Sequence, residues 1–248
     1  MSIAPNRRAL VTGASTGLGR ETALTFARAG YDVALADIDA GMLDPVMGVS
    51  ALANINAVAV TLDLRSEDGI RDGCAAAIEA LGGLDVLVNN PSGFGRTDDD
   101  EGWAKSVDID LMPVVRGSHY AIPLIEKSGG GSIIHISTIS ALTESMRTPP
   151  YGAIKAAVNH YTVTQAKSLA PKGIRVNAIC PGSIYFKDGV WDVAKRENRA
   201  LYDSILASIP SGRYGTPEEI ANVAVFLASN AGSWVTGQAI AVDGGQAL

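Results

Sequence analysis

Only two of the 248 residues are cysteine, Cys74 and Cys180, and they lie far apart with no Cys-x-x-Cys spacing. That is too few for a disulfide scaffold or a zinc site, so no metal is expected. Both should be reduced, buried, small apolar side chains, in keeping with a cytoplasmic chain. Charged residues are also scarce, at 19% against the usual ~25%, while 47% of residues are apolar. Disorder is excluded as the main state, because such a chain can bury a large core. A basic excess is missing as well: 20 Lys+Arg stand against 26 Asp+Glu, for a net charge of −6. This argues against a nucleic-acid partner, which would leave a basic stripe. The one basic cluster, Lys187, Lys195, Arg196 and Arg199, is interleaved with Asp188, Asp192 and Glu197 and reads as a solvated segment. A convincing membrane span is lacking too. Residues 220–242 carry no charge, but Asn222, Asn230, Gly232, Ser233, Gly237 and Gln238 interrupt them. A helix, a polar turn and a strand explain that stretch better than a bilayer crossing. Residues 1–8 have neither the apolar core nor the cleavage pattern of a signal peptide.

Glycine, by contrast, is abundant: 27 residues, about 11% against a usual ~7%. Between the glycines, short β-branched runs alternate with longer segments of 3.6-residue period. Strands are expected at 8–12, 31–36, 57–62, 84–88, 132–137, 174–179 and 239–242. Helices are expected at 17–29, 40–51, 66–81, 150–170 and 217–229, with a further helix broken by Gly129-Gly130-Gly131. A Ser-x-x-Asp/Glu cap starting at Ser66 should open the third of these, and Gly82-Gly83 should end it. Uninterrupted apolar strands such as Val86-Leu87-Val88 imply a sheet buried on both faces. The expected architecture is therefore α/β: a doubly wound parallel Rossmann sheet in one domain spanning residues 1–248.

The first strand runs into Thr12-Gly13-Ala14-Ser15-Thr16-Gly17-Leu18-Gly19 and then a helix. A glycine-rich turn there offers free backbone N–H groups and the positive helix end to a pyrophosphate. Gly13, Ser15, Thr16, Gly17, Leu18 and Gly19 form the candidate cradle. Gly13 allows the tight turn, Gly17 close approach of the backbone, and Gly19 helix–strand packing. The second strand ends at Asp37, 18 residues beyond Gly19. A carboxylate there can accept from both ribose hydroxyls and would repel a 2′-phosphate, with no Arg or Lys immediately following. NAD (NADH) is the expected cofactor; the alternative is that Asp37 caps the next helix while Asp39 or neither residue meets ribose. Asp63 and the backbone of Leu64 are placed at the adenine edge, unless Asp63 is a helix cap.

Tyr151 and Lys155 lie four residues apart on one predicted helix face. A free phenol has a pKa of about 10 and is a poor base at neutral pH. A neighbouring ammonium favours the phenolate, and a downward shift of roughly 3 units requires about 4 kcal/mol. Taken together, Thr12–Gly19, Leu87-Val88-Asn89-Asn90, Ile136-Ser137-Thr138, Tyr151–Lys155, Arg175-Val176-Asn177, Pro181-Gly182 and Val242-Asp243-Gly244-Gly245 occur in this order. The set resembles the short-chain dehydrogenase/reductase family, in its compact branch of about 250 residues, from Ala9 to Gly245. The resemblance implies a seven-stranded Rossmann fold, a tyrosine acid/base and a homotetramer. It implies that Tyr151 exchanges the proton with substrate, and that Lys155 holds the nicotinamide ribose and lowers the phenol pKa. Thr138 orients the substrate oxygen, unless a register shift recruits Ser137 or Ser140. Asn90 lies under the cofactor ribose, and Pro181, Gly182 and Ile184 lie beside the carboxamide.

Three departures from the family pattern stand out. Asn89-Asn90-Pro91-Ser92-Gly93 replaces Asn-Asn-Ala-Gly, Asp110 stands where asparagine is usual, and Phe186 stands where threonine is common. Asp110 either lies near Lys155 and alters its field or caps a neighbouring backbone group. Residues 183–207 are expected as the loop over the substrate pocket. Tyr185, Phe186, Val190, Trp191 and Tyr202 in that loop suit an apolar or cyclic small molecule, or else they pack the loop onto the core. The leading activity is NAD(H)-dependent interconversion of a secondary alcohol and a ketone. The alternatives are a dinucleotide-binding regulatory or scaffold protein that has lost turnover, and a sugar-nucleotide epimerase or dehydratase. The last is disfavoured by the glycine spacing and by the short C-terminal part.

Overall fold

Among the described residues seven strands lie parallel in one sheet, arranged side by side as the third, second, first, fourth, fifth, sixth and seventh strands of the chain. The computed structural model describes residues 7–49, 52, 54–90 and 92–248. Strands β1 (Arg8–Thr12), β2 (Asp32–Asp37) and β3 (Ala57–Thr61) alternate with α1 (Gly17–Arg28) and the short α2 (Asp44–Met47). Helix α3 (Glu67–Leu81) leads to β4 (Val86–Asn89), and α4 (Asp100–Ser106) and α5 (Met112–Lys127) lead to β5 (Gly131–Ile136). Helix α6 (Pro149–Leu169) leads to β6 (Ile174–Pro181). The chain then forms α7 (Val190–Glu197), α8 (Arg199–Ala207), α9 (Pro217–Ala228) and β7 (Ala239–Val242).

The sheet is covered on both faces because successive strand residues point in opposite directions. Ala9, Val11, Val33, Leu35, Val86, Val88 and Ile134 pack with Phe26 of α1 and Ile220 and Leu227 of α9. Leu10, Ala34, Leu87, Ile133 and Val176 face the other way, against Ile70 and Cys74 of α3, Ile125 of α5 and Leu169 of α6. Each fully buried Leu, Ile or Phe contributes about 1.5–3 kcal/mol. Both cysteines are free and buried. Parallel strands force a crossover after every strand, and the order reverses at β1, which has β2 on one side and β4 on the other. The crevice at the carboxyl ends of β1 and β4 is the topological switch point, where ligands of such sheets bind.

Several expectations need correction. The helix expected over 40–51 is a 3-10 turn, Ala40–Leu43, followed by the four-residue α2. Asp39 caps the turn by accepting from Gly41 N, and Pro45 has no N–H with which to continue the ladder. The last two residues of that expected helix lie outside the described residues, as does Pro91. Ser66 does cap α3 through Gly69 N, but residue 69 is glycine, so no side chain returns the bond. A reciprocal box forms instead at Thr216 and Glu219, opening α9. Residues 183–207 are not an irregular loop, because α7 and α8 occupy most of them. The charge-free stretch is α9, a 3-10 turn and β7, and no helix among the described residues is long and apolar enough to cross a membrane.

Candidate active site

At the end of β1 the chain turns on Gly13 (φ 65°) and Gly17 (φ 54°), left-handed conformations that only glycine adopts without strain. Thr16 occupies the N-cap position of α1 but makes no side-chain cap bond, and the first turn holds no acidic residue. The first N–H groups of α1 therefore lack a protein cap and are oriented for an anion, together with the positive end of the helix. At Gly19 a methyl group would overlap the carbonyl oxygen of Gly13 and come within 2.5 Å of Asn90 Nδ2. That closeness is built by Asn90, whose amide donates to the carbonyls of Thr12 (3.1 Å) and Gly13 (3.2 Å). Asn90 thus ties the end of β4 to the glycine turn. These features fit a bound pyrophosphate. Among the described residues no group of three or more His, Cys, Asp or Glu is placed to hold a metal ion.

Beside the turn lies a cavity of about 120 Å³ lined by Gly13, Asp37, Ile38, Asp63, Leu64 and Arg65, among others. The Asp37 carboxylate accepts from Ser15 N (3.1 Å) and Ile38 N (2.8 Å), and Asp39 is the residue that caps the next turn. Asp63 does not cap α3. It pairs with Arg65 at 2.8 Å, and that guanidinium holds its carboxyl below the usual range. Arg65, two residues beyond Asp63, is a cation in this cavity that the sequence reading passed over. Pro181 ends β6 in pairing with Val242, and Gly182 N donates to Val242 O. Ile184 is buried and bridges to Gly215. The Phe186 ring lies against Gly17 and Gly189, so a side chain at either position would run into it.

Across the crevice α6 presents Tyr151 and Lys155. The Lys155 ammonium, 2% exposed, donates to Ile136 O at 2.9 Å and stands 5.8 Å from the centre of the Tyr151 ring. Of the three candidate hydroxyls, that of Thr138 is the one near enough to the Tyr151 phenol to favour its ionised form. Thr138 is itself fixed by accepting from Ser140 N at 3.2 Å. Ser137 is turned the other way and donates to the Lys155 carbonyl. Burial pushes the Tyr151 phenol above its ordinary value, the Asp110 carboxylate pushes in the same direction, and the nearby hydroxyls of Thr138 and Ser92 oppose them. Burial pulls Lys155 down, opposed by Asp110. Asp110 lies in a π-helical turn, Val107–Leu111, between α4 and α5, fully buried and 3.4 Å from Lys155 Nζ. It caps no backbone group: neither carboxylate oxygen has a well-formed hydrogen bond.

Two further features escaped the sequence reading. Phe94, strained at φ 49°, meets the Tyr151 ring edge-on at 5.0 Å, with the Arg96 guanidinium 4.9 Å from its own centre. Both line a cavity of about 330 Å³ with Glu101 and Lys105. Behind the site His135 is wholly buried between Asn89 Nδ2 (3.1 Å) and Gln165 Oε1 (2.9 Å). A histidine inside the apolar run Ile133-Ile134-His135-Ile136 was the available signal. Three aromatic residues of 183–207, Tyr185, Trp191 and Tyr202, gather around Tyr214. Tyr202 lies 4.6 Å from Tyr214, and Trp191 lies 5.6 Å from Tyr214.

A parallel doubly wound sheet, a glycine turn at its switch point and a Tyr/Lys pair facing that turn define a Rossmann-type protein with a candidate oxidoreductase site. Comparison with known proteins makes this specific. A family model described as enoyl-(acyl carrier protein) reductase matches residues 13–247. The chain is 36% identical over 240 residues to 7alpha-hydroxysteroid dehydrogenase of Escherichia coli (strain K12), covering 96% of this chain and 92% of the relative. A solved 7 alpha-hydroxysteroid dehydrogenase complexed with NADH and 7-oxo glycochenodeoxycholic acid superimposes with a TM-score of 0.89 at 35% identity, covering 96% of this chain and 93% of that one. L-sorbose reductase from Gluconobacter frateurii, complexed with NADPH and L-sorbose, has a TM-score of 0.89 at 30% identity, covering 98% of this chain and 97% of that one. The chain belongs to the short-chain dehydrogenase/reductase family. It is an oxidoreductase whose fold binds a nicotinamide dinucleotide.

Proposed function

We propose that the protein is an NAD(H)-dependent oxidoreductase that interconverts a secondary alcohol and a ketone, with an apolar or cyclic small molecule as substrate. The observation that carries this reading is the placing of the Thr138 hydroxyl near the Tyr151 phenol, with the Lys155 ammonium 5.8 Å from the Tyr151 ring and held by the last carbonyl of β5. The bound dinucleotide supplies or accepts the hydride. Tyr151 exchanges the proton with the substrate oxygen, and Thr138 holds that oxygen in line with the phenol. Lys155, anchored by the Ile136 carbonyl, supports the phenol and reaches the cofactor ribose. Backbone N–H groups of Thr16, Gly17 and Leu18 would hold the pyrophosphate, with Gly13 and Gly19 shaping the turn and Ser15 N fixing the Asp37 carboxylate beside it. Asp37 would take the adenosine ribose, Asp63 and Leu64 the adenine edge, and Asn90 would lie under the second ribose. Pro181, Gly182 and Ile184 flank the carboxamide.

An apolar substrate is supported by Phe94 against Tyr151, by exposed Leu142 and Met146 in the segment between Thr138 and Tyr151, and by exposed Val190 on α7. The hydroxysteroid relative points the same way. Helices α7 and α8 (within 183–207) cover the pocket. The family pattern favours a cytoplasmic homotetramer. Its test is light scattering at micromolar concentration, where a monomer would count against it. The central test is Tyr151→Phe with a panel of cyclic secondary alcohols and ketones, followed by reduced-nicotinamide absorbance. The variant should keep cofactor binding and lose about 10²-fold or more in turnover. Near-normal turnover would remove Tyr151 from the mechanism, and a scaffold protein would turn over none of the panel even as wild type.

A further inference from the structure

Asp110 and Lys155 form a charge pair sealed from solvent, at 0% and 2% side-chain exposure. The π-helical turn is what aims the carboxylate inward, because the extra residue in that turn rotates position 110 onto the face that packs against α6. Among the described residues the Asp110 oxygens have no well-made hydrogen bond, so the ammonium 3.4 Å away is the group that balances its charge. In return, the carboxylate cancels much of the field that Lys155 would exert on the neighbouring phenol. We propose that Asp110 is a positioning residue that acts through Lys155 to keep Tyr151 a proton donor at neutral pH, fitting this site to carbonyl reduction rather than alcohol oxidation.

Among the described residues, the groups acting on the phenol come from different elements. They are Asp110 from the π turn, Cys180 from β6, and the hydroxyls of Thr138 after β5 and Ser92 after β4, with Lys155 Nζ of α6 5.8 Å from the ring centre. Lys155 in turn faces His135, which is held neutral by burial. Of these, Asp110 is the one fixed negative charge, and burial alone already favours the neutral phenol. In reduction, a hydride adds to the carbonyl carbon while the Tyr151 Oη–H bond breaks and its proton passes to the carbonyl oxygen. The resulting phenolate is reprotonated from solvent. Oxidation needs that phenolate at the outset, and so needs alkaline conditions here. The equilibrium between alcohol and ketone belongs to the substrates and cofactor. Asp110 alters the pH at which each direction runs.

This inference rests on the proposed role of Tyr151, and the test separates the two. The first measurement needs no change at position 110: phenolate absorbance of the wild-type chain minus that of Tyr151→Phe, titrated with pH. Tyr151 should stay protonated to at least about pH 10, the value of a free phenol. Ionisation near neutrality overturns the proposal. The second is the pH dependence of kcat/KM in both directions for wild type and Asp110→Asn. In the variant the acidic limb of oxidation should move down by about one to three pH units, and the alkaline limb of reduction should fall with it. Unmoved limbs in a variant that melts like wild type overturn the inference and leave the function standing. If Tyr151→Phe retains turnover, the proposed function itself fails.

Discussion

The proposed preference for NAD(H) rests on one carboxylate. Asp37 stands at the end of β2 with its oxygens accepting from Ser15 N and Ile38 N, in the cavity beside the glycine turn. A 2′-phosphate brought there carries roughly −1.5 to −2 charges. At about 4 Å, each unit charge costs about 1 kcal/mol in bulk water and about 4 kcal/mol at an effective dielectric of about 20. Asp37 is only partly buried, so the lower figure is the better guide. Repulsion of about 1.5–2 kcal/mol gives NAD(H) roughly a tenfold to thirtyfold preference over NADP(H). The structure also supplies a possible counterweight. Arg65 lines the same cavity, paired with Asp63 at 2.8 Å, and would have to leave that pair to meet a phosphate. Titrating both reduced cofactors by fluorescence measures the ratio directly, and rising salt should shrink it. Asp37→Ser removes the charge and leaves two half-exposed N–H groups for water to satisfy, so folding should survive while the preference falls toward parity. Equal affinities in the wild type, or an unchanged ratio in Asp37→Ser, would refute the reasoning.

Other outcomes follow from the same geometry. Gly19→Val should lose cofactor binding and about 1–3 kcal/mol or more of stability, because its Cβ collides with the Gly13 carbonyl. Thermal unfolding together with a binding titration checks both, and a fully stable, binding variant would contradict the packing argument. His135 is buried neutral, with its pKa pushed down to about 4. The unfolded chain, titrating near 6.5, binds the proton first, so the contribution of His135 is complete above about pH 6.5 and is lost as pH falls toward 4. Its size is up to about 3 kcal/mol. Denaturant unfolding of wild type and His135→Asn across that window should show a flatter pH dependence in the variant. Equal slopes would mean that His135 is not the group responsible.

Much of this protein was legible in its sequence, because the signals were local and periodic. The β-branched runs, the left-handed glycines after Thr12 and Leu81, and the Tyr151/Lys155 spacing on one helix face each follow from backbone geometry within a few residues. The parallel sheet followed from apolar runs that can be satisfied only by cover on both faces. Misreadings came where one residue altered a local ladder: Pro45 split an expected helix, and glycine at 69 left the Ser66 cap without a returning side chain. Residues 183–207 read as a loop because a variable segment was expected over the pocket, although α7 and α8 are helical.

What the sequence could not give were juxtapositions between distant segments. Asp110 was visible as a departure from the family pattern, but whether it faced Lys155 depended on a π-helical turn that rotates the chain by one residue. The shared cavity of Arg65 and Asp37, the edge of Phe94 against Tyr151, and the seat of His135 between Asn89 and Gln165 likewise join residues brought together only by folding. A sequence fixes period and conformational preference along the chain. Desolvation and charge pairing, which set the protonation of Tyr151 and Lys155, exist only once the two sides of the crevice close around them.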